Sequence, residues 1–101
     1  SLSSYVKYAL KCFRNNERLV VVKGTGTATA KVPHLIEILK RRIGSLHQTN
    51  SIYSILVNDN RGQHRNEDGQ RRISVFEAVL SLDPLDKAHV GYQEPIPKDT
   101  R

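Results

Sequence analysis

Four histidines, one cysteine and ten carboxylates are the side chains through which this 101-residue sequence could catalyse a reaction or hold a metal. Their spacing builds neither. His34, His47, His64 and His89 are scattered, with no HExxH pair and no short metal-ligand spacing. Cys12 is alone, which excludes an internal disulfide and a cysteine zinc site, and it has no neighbouring histidine to activate it. Glu37 and Glu77 fall on separate elements and read as solvated or salt-bridged groups. No nucleophile elbow of the Gly-x-Ser-x-Gly type occurs. The expectation is a protein that is not an enzyme, with no metal and no cofactor.

The cations carry a different message. Sixteen Lys and Arg against ten Asp and Glu give a net charge of +6. The excess lies in residues 1–82, with 13 basic and 6 acidic groups, while residues 83–101 are slightly acidic. Such a field favours a polyanion. Arg61, Arg65, Arg71 and Arg72 face only Asp59, Glu67 and Asp68 over residues 59–72. Arginine's planar donor fork suits phosphates and base edges. A second candidate is Gly24-Thr25-Gly26, between a strand pattern and a helix pattern, where backbone N–H groups approach phosphates. It lacks the third glycine of a dinucleotide fingerprint, and Lys31 is not placed as in a P-loop. Contact with a nucleic-acid phosphate through Thr25, Gly26, Thr27 and Lys31 fits it better. Tyr5, Tyr8, Tyr53 and Tyr92 are candidates for base stacking and equally for core or rim.

The elements that must position these groups follow from periodicity. Leu2, Val6, Ala9, Leu10 and Phe13 form one helical stripe over residues 1–14, ended by Asn15-Asn16. Residues 18–23 are a β-branched run, as in a strand covered on both faces or nearly so. After a turn at residues 24–30, Val32, Leu35, Ile36, Leu39 and Ile43 predict a second helix with Pro33 in its first turn and Gly44 at its end. Residues 51–58 and 71–81 predict two strands of a hairpin with a long basic tip. Proline and glycine punctuate residues 83–97, so an extended tail, 83–101, is expected to follow a domain of residues 1–82. The order gives an α/β two-layer sandwich, two helices on one face of a small mixed sheet. The hairpin strands have apolar residues in both phases, read as Ile52, Leu56, Ile73, Val75 and Val79 against Tyr53, Ile55, Val57, Phe76 and Leu80. Two helices cover one face only, so a partner copy is expected on the other.

Several segments, in order, resemble the Alba-type nucleic-acid-binding proteins. They are Tyr5-Val6 with its apolar stripe, Val20-Val21-Val22-Lys23-Gly24-Thr25-Gly26-Thr27-Ala28, and Glu37-Ile38-Leu39-Lys40-Arg41-Arg42-Ile43 followed by Gly44-Ser45-Leu46-His47-Gln48. Asp68-Gly69-Gln70-Arg71-Arg72-Ile73-Ser74-Val75-Phe76-Glu77, Leu85-Asp86-Lys87 and Gly91-Tyr92-Gln93-Glu94-Pro95 complete the likeness, over about residues 4–97. The resemblance is to the eukaryotic branch. It implies a β-α-β-α-β-β order, dimers, and binding of DNA or RNA by two hairpins beside a basic face. The family's first strand would lie before Ser1. Many relatives carry arginines beside the loop glycine where Thr25 and Thr27 stand here, which shifts the expected binding weight to Lys23, Lys31, Arg42 and the hairpin.

The expected function is therefore dimeric binding of nucleic acid, homodimeric or with another Alba-like chain, with RNA favoured over DNA. The alternatives are a chromatin or telomere DNA binder, or a protein-interaction subunit of a ribonuclease P-like particle. The longest apolar run, Leu19-Val20-Val21-Val22, is far below the ~20 residues that span a bilayer. No secretory h-region opens the sequence, and an intracellular protein, cytoplasmic or nuclear, is expected.

Overall fold

The computed structural model describes residues 2–58 and 70–97. Helix α1 runs Leu2–Arg14 and buries Val6 and Ala9, with Leu2, Leu10 and Phe13 packed beside them. Asn16 ends it in the left-handed region, at φ 72°. There the Asn16 N–H donates to Phe13 O (3.3 Å) and the Glu17 N–H to Cys12 O (3.1 Å), the paired closure that satisfies the last carbonyls of a helix.

Strand β1 (Leu19–Thr25) leads into a 3-10 turn, Gly26–Ala30, and then helix α2, Lys31–Arg42. Pro33 is the third residue of α2, where an N–H has no carbonyl to reach within the first turn. Val32, Leu35, Ile36 and Leu39 face inward as their spacing requires. Strands β2 (His47–Asn58) and β3 (Gln70–Ser81) form the antiparallel hairpin, and β4 (Tyr92–Gln93) joins the free edge of β2. β2 begins four residues earlier than its apolar residues indicate, because His47–Asn50 pair with Ala78–Ser81.

The sheet order is β1-β3-β2-β4. Both helices pack on one face, through Val22, Phe76, Ala78, Leu80 and Leu82. Leu39, Leu46 and Leu80 are fully buried there. Each such side chain contributes about 1.5–3 kcal/mol. Every pair among the described residues is antiparallel, where a mixed sheet was expected. β1 and β2, joined through α2, do run parallel to each other, but β3 inserts between them, so the parallel strands never touch.

Two further expectations change. β1 is covered on one face only: Val22 and Gly24 turn inward, whereas Leu19 and Val21 are 49% and 47% exposed. An unbroken β-branched run conceals that alternation. The two apolar phases are also reassigned. Ile52 pairs with Phe76, Leu56 with Arg72, Tyr53 with Val75 and Ile55 with Ile73. Even positions thus share the helix side of the sheet, and odd positions share the outer face.

Residues 83–97 fold back onto the sheet. The Ala88 N–H donates to Asp86 Oδ1 (2.9 Å), setting a turn that returns the backbone to β2. The Asn50 N–H then donates to Gly91 O (2.9 Å), and β4 pairs Tyr92 with Thr49. Two further bonds hold this segment, Lys40 Nζ to Glu94 O (2.9 Å) and His47 Nδ1 with Tyr92 Oη (2.8 Å). At its start, Arg18 and Asp83 make a bidentate pair at 2.8–3.1 Å. Hydrogen bonds from the guanidinium hold the Asp83 carboxyl below the usual aspartate range.

Candidate nucleic-acid interface

β1 and β3 are paired only as far as Thr25 and Val75, so the hairpin continues past the end of β1 as a two-stranded arm. The described part, Gln70–Ser74 opposite Ser54–Asn58, projects by ~17 Å at ~3.4 Å per residue. Gly26 sits at the root of this arm, φ +57°, with Ile73 Cγ2 4.0 Å from where a β-carbon would stand. A glycine is therefore wanted for its left-handed backbone and not for lack of space. Gly24 is the reverse case. A β-carbon there would lie 2.5 Å from Val32 Cγ2 and 2.7 Å from Ala28 O, so the absence of a side chain lets the strand lie directly against the turn.

Around this turn Thr25, Thr27 and Lys31 are exposed. Thr25 is extended (φ −118°, ψ 148°), and its hydroxyl makes no capping bond to the turn it precedes. Within the turn, Thr29 Oγ1 donates back to Gly26 O at 2.9 Å. Lys31 opens α2 with no acidic residue in the first turn, a position where the helix dipole disfavours a cation. Lys23 lies on the outer face, 3.4 Å from Glu77 Oε1, and Tyr53 Oη donates to the same oxygen at 2.9 Å. That bond, made to the protonated phenol, raises the Tyr53 pKa.

Lys23, Thr25, Gly26, Thr27 and Lys31 are thus gathered at the end of the molecule from which the arm projects. Arg71 and Arg72 lie on the arm itself, paired with Val57 and Leu56 and directed to opposite faces. Arg72 Nη1 donates to Ser54 Oγ at 3.2 Å. Arg42 is exposed but stands at the other end of α2, ~17 Å from Lys31 at ~1.5 Å per residue. Arg61 and Arg65 lie outside the described residues.

Two features add to the sequence expectations. Tyr5, 64% exposed, lines a pocket of about 280 Å³ together with Lys23, Gly24 and Lys31. The sequence offers Tyr5 as a candidate for base stacking and equally for core or rim, and what it does not show is the pocket that Tyr5 lines. Lys40, to which the sequence assigned no place, is buried, and burial lowers its pKa against the opposing pull of Glu37 and Glu94. Its spacing did carry the signal, since it stands one helical turn after Ile36. Glu77, read as solvated or salt-bridged, pairs with Lys23.

Among the described residues no three His, Cys, Asp or Glu side chains gather as a metal site, and no helix is long and apolar enough to cross a membrane. Among the described residues the interface offers exposed cations, hydroxyls and a close-approach backbone, groups whose chemistry suits an anion.

The Alba family model matches residues 1–55. The DNA/RNA-binding protein ALBA1 of Plasmodium falciparum (isolate 3D7) is 33% identical over 100 residues, covering 94% of this chain and 40% of that protein. A ribonuclease P protein subunit p25-like protein of Mus musculus is 33% identical over 84 residues, 77% of this chain and 52% of its own. The ribonuclease P protein subunit p25 of Homo sapiens is 32% identical over 94 residues, 79% and 47% respectively. The chain spans about half the length, or less, of these curated relatives.

Proposed function

The chain belongs to the Alba family, and from that premise we propose that it is a non-catalytic nucleic-acid-binding module, with RNA as its principal ligand. The convergence of Lys23, Thr25, Gly26, Thr27 and Lys31 at the root of an arginine-bearing arm carries this reading. Lys and Arg neutralise phosphates, the glycine turn lets the backbone approach them, and the arm extends the contact along a groove or a strand. Arg61 and Arg65 follow in sequence and add to the same charge.

The preference for RNA draws on the relatives named as ribonuclease P subunits and as a DNA/RNA-binding protein. Association of two copies, or of this chain with a similar one, is part of the reading. Val21, Ile55 and Tyr53 are exposed on the face opposite the helices, and a two-fold pair presents two arms at once. The subunit names favour a second reading, in which this outer face holds a different protein within a ribonucleoprotein.

Titration of matched single-stranded RNA, duplex RNA and duplex DNA at two salt concentrations tests the proposal. Binding that weakens steeply with salt and is tightest for an RNA is the expected result. Absence of binding to all three overturns the function, and tighter binding to duplex DNA overturns the preference.

A further inference from the structure

We propose that the outer surface of α1 and α2 is a second nucleic-acid contact, a track that carries a single-stranded RNA onward from the root of the arm. This rests on the nucleic-acid-binding reading and adds to it a path and a length. Leu2 and Tyr5 share a pocket with Lys31, Val32 and Leu35, so the two helices start at the same end of the molecule and run side by side over the sheet. Their last turns therefore meet at the other end. They bring Lys11, Arg14, Arg41 and Arg42 to one area, with Lys7 one turn before. All five are exposed, and none makes an ion pair among the described residues. Lys23 on the sheet and Arg18 before it are by contrast paired, with Glu77 and Asp83. α1 contains no carboxylate. The one in α2, Glu37, stands two residues from Leu35 and so on the opposite side of the helix, toward Glu94 and Pro95.

Two features of this surface suit a polyanion. Lys7 and Lys11 stand at i and i+4, and Lys11 and Arg14 at i and i+3, so the exposed face of α1 stacks like charges that weaken a helix. The helix dipole accounts for cations in a last turn. It does not account for Lys7, nor for a helix with no carboxylate to offset them. A phosphate backbone removes the repulsion and releases its own counterions in doing so. The second feature is continuity. Lys31 opens α2 at the root of the arm, and Arg42 ends it ~17 Å away at ~1.5 Å per residue. About five stacked nucleotides span that length at ~3.4 Å each. Tyr8, 69% exposed beside Lys7, gives the strand a ring on which an unpaired base stacks. The five cations share the phosphates that cross them, so replacing one of them alone changes little.

The test uses the full chain and two single-stranded RNAs of one repeated sequence, about 5 and about 15 nucleotides long. Lys7→Gln, Lys11→Gln, Arg14→Gln and Arg41→Gln are combined, because glutamine keeps the helix preference of the residues it replaces. Lys31 and Arg42 stay in place. On the longer RNA the variant should bind at least ~tenfold more weakly at low salt. Its slope of log affinity against log salt should fall by ~2–3 units, ~0.7 for each lost phosphate contact. On the shorter RNA, held at the root of the arm, affinity should stay within about twofold. Lys7→Arg with Lys11→Arg should keep wild-type binding to both, since the track reads charge. Thermal melts check that the fourfold variant is folded. The pair Lys7→Gln and Lys11→Gln should give about half of each change, so the result does not hang on that fold. Unchanged affinity and slope on the longer RNA overturn the track and leave the site at the root of the arm standing. Equal weakening on both lengths also overturns it, because it marks a general field and not a contact. Binding of neither RNA by the wild type overturns the wider function as well.

Discussion

Gly24 passes so close to Ala28 that a β-carbon on the glycine would stand 2.7 Å from the alanine's carbonyl oxygen. This contact fixes the end of β1 against the turn that carries Gly26, Thr27 and Lys31. Gly24→Ala is expected to cost about 1–3 kcal/mol, since backbone must move to admit the methyl group. Gly26→Ala costs ~1–2 kcal/mol by the left-handed penalty alone, and Gly26→Val more. Urea melts check these values. Thr25→Ala and Thr27→Ala should leave the melts unchanged and weaken binding only. An unaltered midpoint for Gly26→Val contradicts the conformational requirement.

The arm is tested by replacing Arg61, Arg65, Arg71 and Arg72 together with Ala. Folding should change by no more than ~0.5 kcal/mol per site. The slope of log affinity against log salt on duplex DNA should flatten by ~3–4 units, because each phosphate contact releases about one counterion. Unchanged affinity and slope remove the arm from the binding surface.

Lys40 gives a prediction that depends on pH. Burial holds its ammonium below the ordinary lysine pKa. Between that lowered value and about 10.4, the unfolded chain binds more protons than the folded one, so stability rises with pH. Lys40→Met should lose this rise while staying within about 1 kcal/mol of wild type at pH 7, because it keeps the buried volume. Lys40→Ala leaves a cavity and should cost about 2 kcal/mol or more. Denaturant melts from pH 7 to 10.5 measure both effects, and parallel pH profiles for wild type and Lys40→Met contradict the assignment.

The helices were legible because their stripes are local. Val6 with Ala9 and Ile36 with Leu39 meet the core at the spacing that one turn demands. Lys40 lies on the same stripe, but its charge outweighed its position, and only the distant Glu94 carbonyl explains its burial. The sheet was less legible for the same reason. Whether Ile52 shares a face with Phe76 or with Val75 depends on the parity of the hairpin register, which no single strand encodes. His47–Asn50 joined β2, and Tyr92-Gln93 became a strand, through partners far away in sequence. Of the interface, the cations and glycines were visible as residue types. Their convergence was not: Lys31 and Arg42 are one helix apart, and only the direction of α2 separates them.

The outer face tests association. Val21→Asp and Ile55→Asp place charges among exposed apolar residues that the helices do not cover. Sedimentation over a range of concentrations in moderate salt should show wild-type dimers and variant monomers, with the melting temperature of each variant retained at low concentration. A wild-type monomer at every concentration contradicts association and the two-armed mode of binding.

The central claim is that a polyanion docks at the end of the molecule where β1 turns into α2. The salt dependence of single-stranded RNA affinity for wild type, Lys31→Ala and Arg42→Ala tests it most directly. Lys31→Ala should weaken binding and reduce the slope by ~0.7 unit, one phosphate contact on a single strand, with a smaller effect from Arg42→Ala at the far end of the helix. A slope unchanged by Lys31→Ala, or reduced only by Arg42→Ala, contradicts the claim.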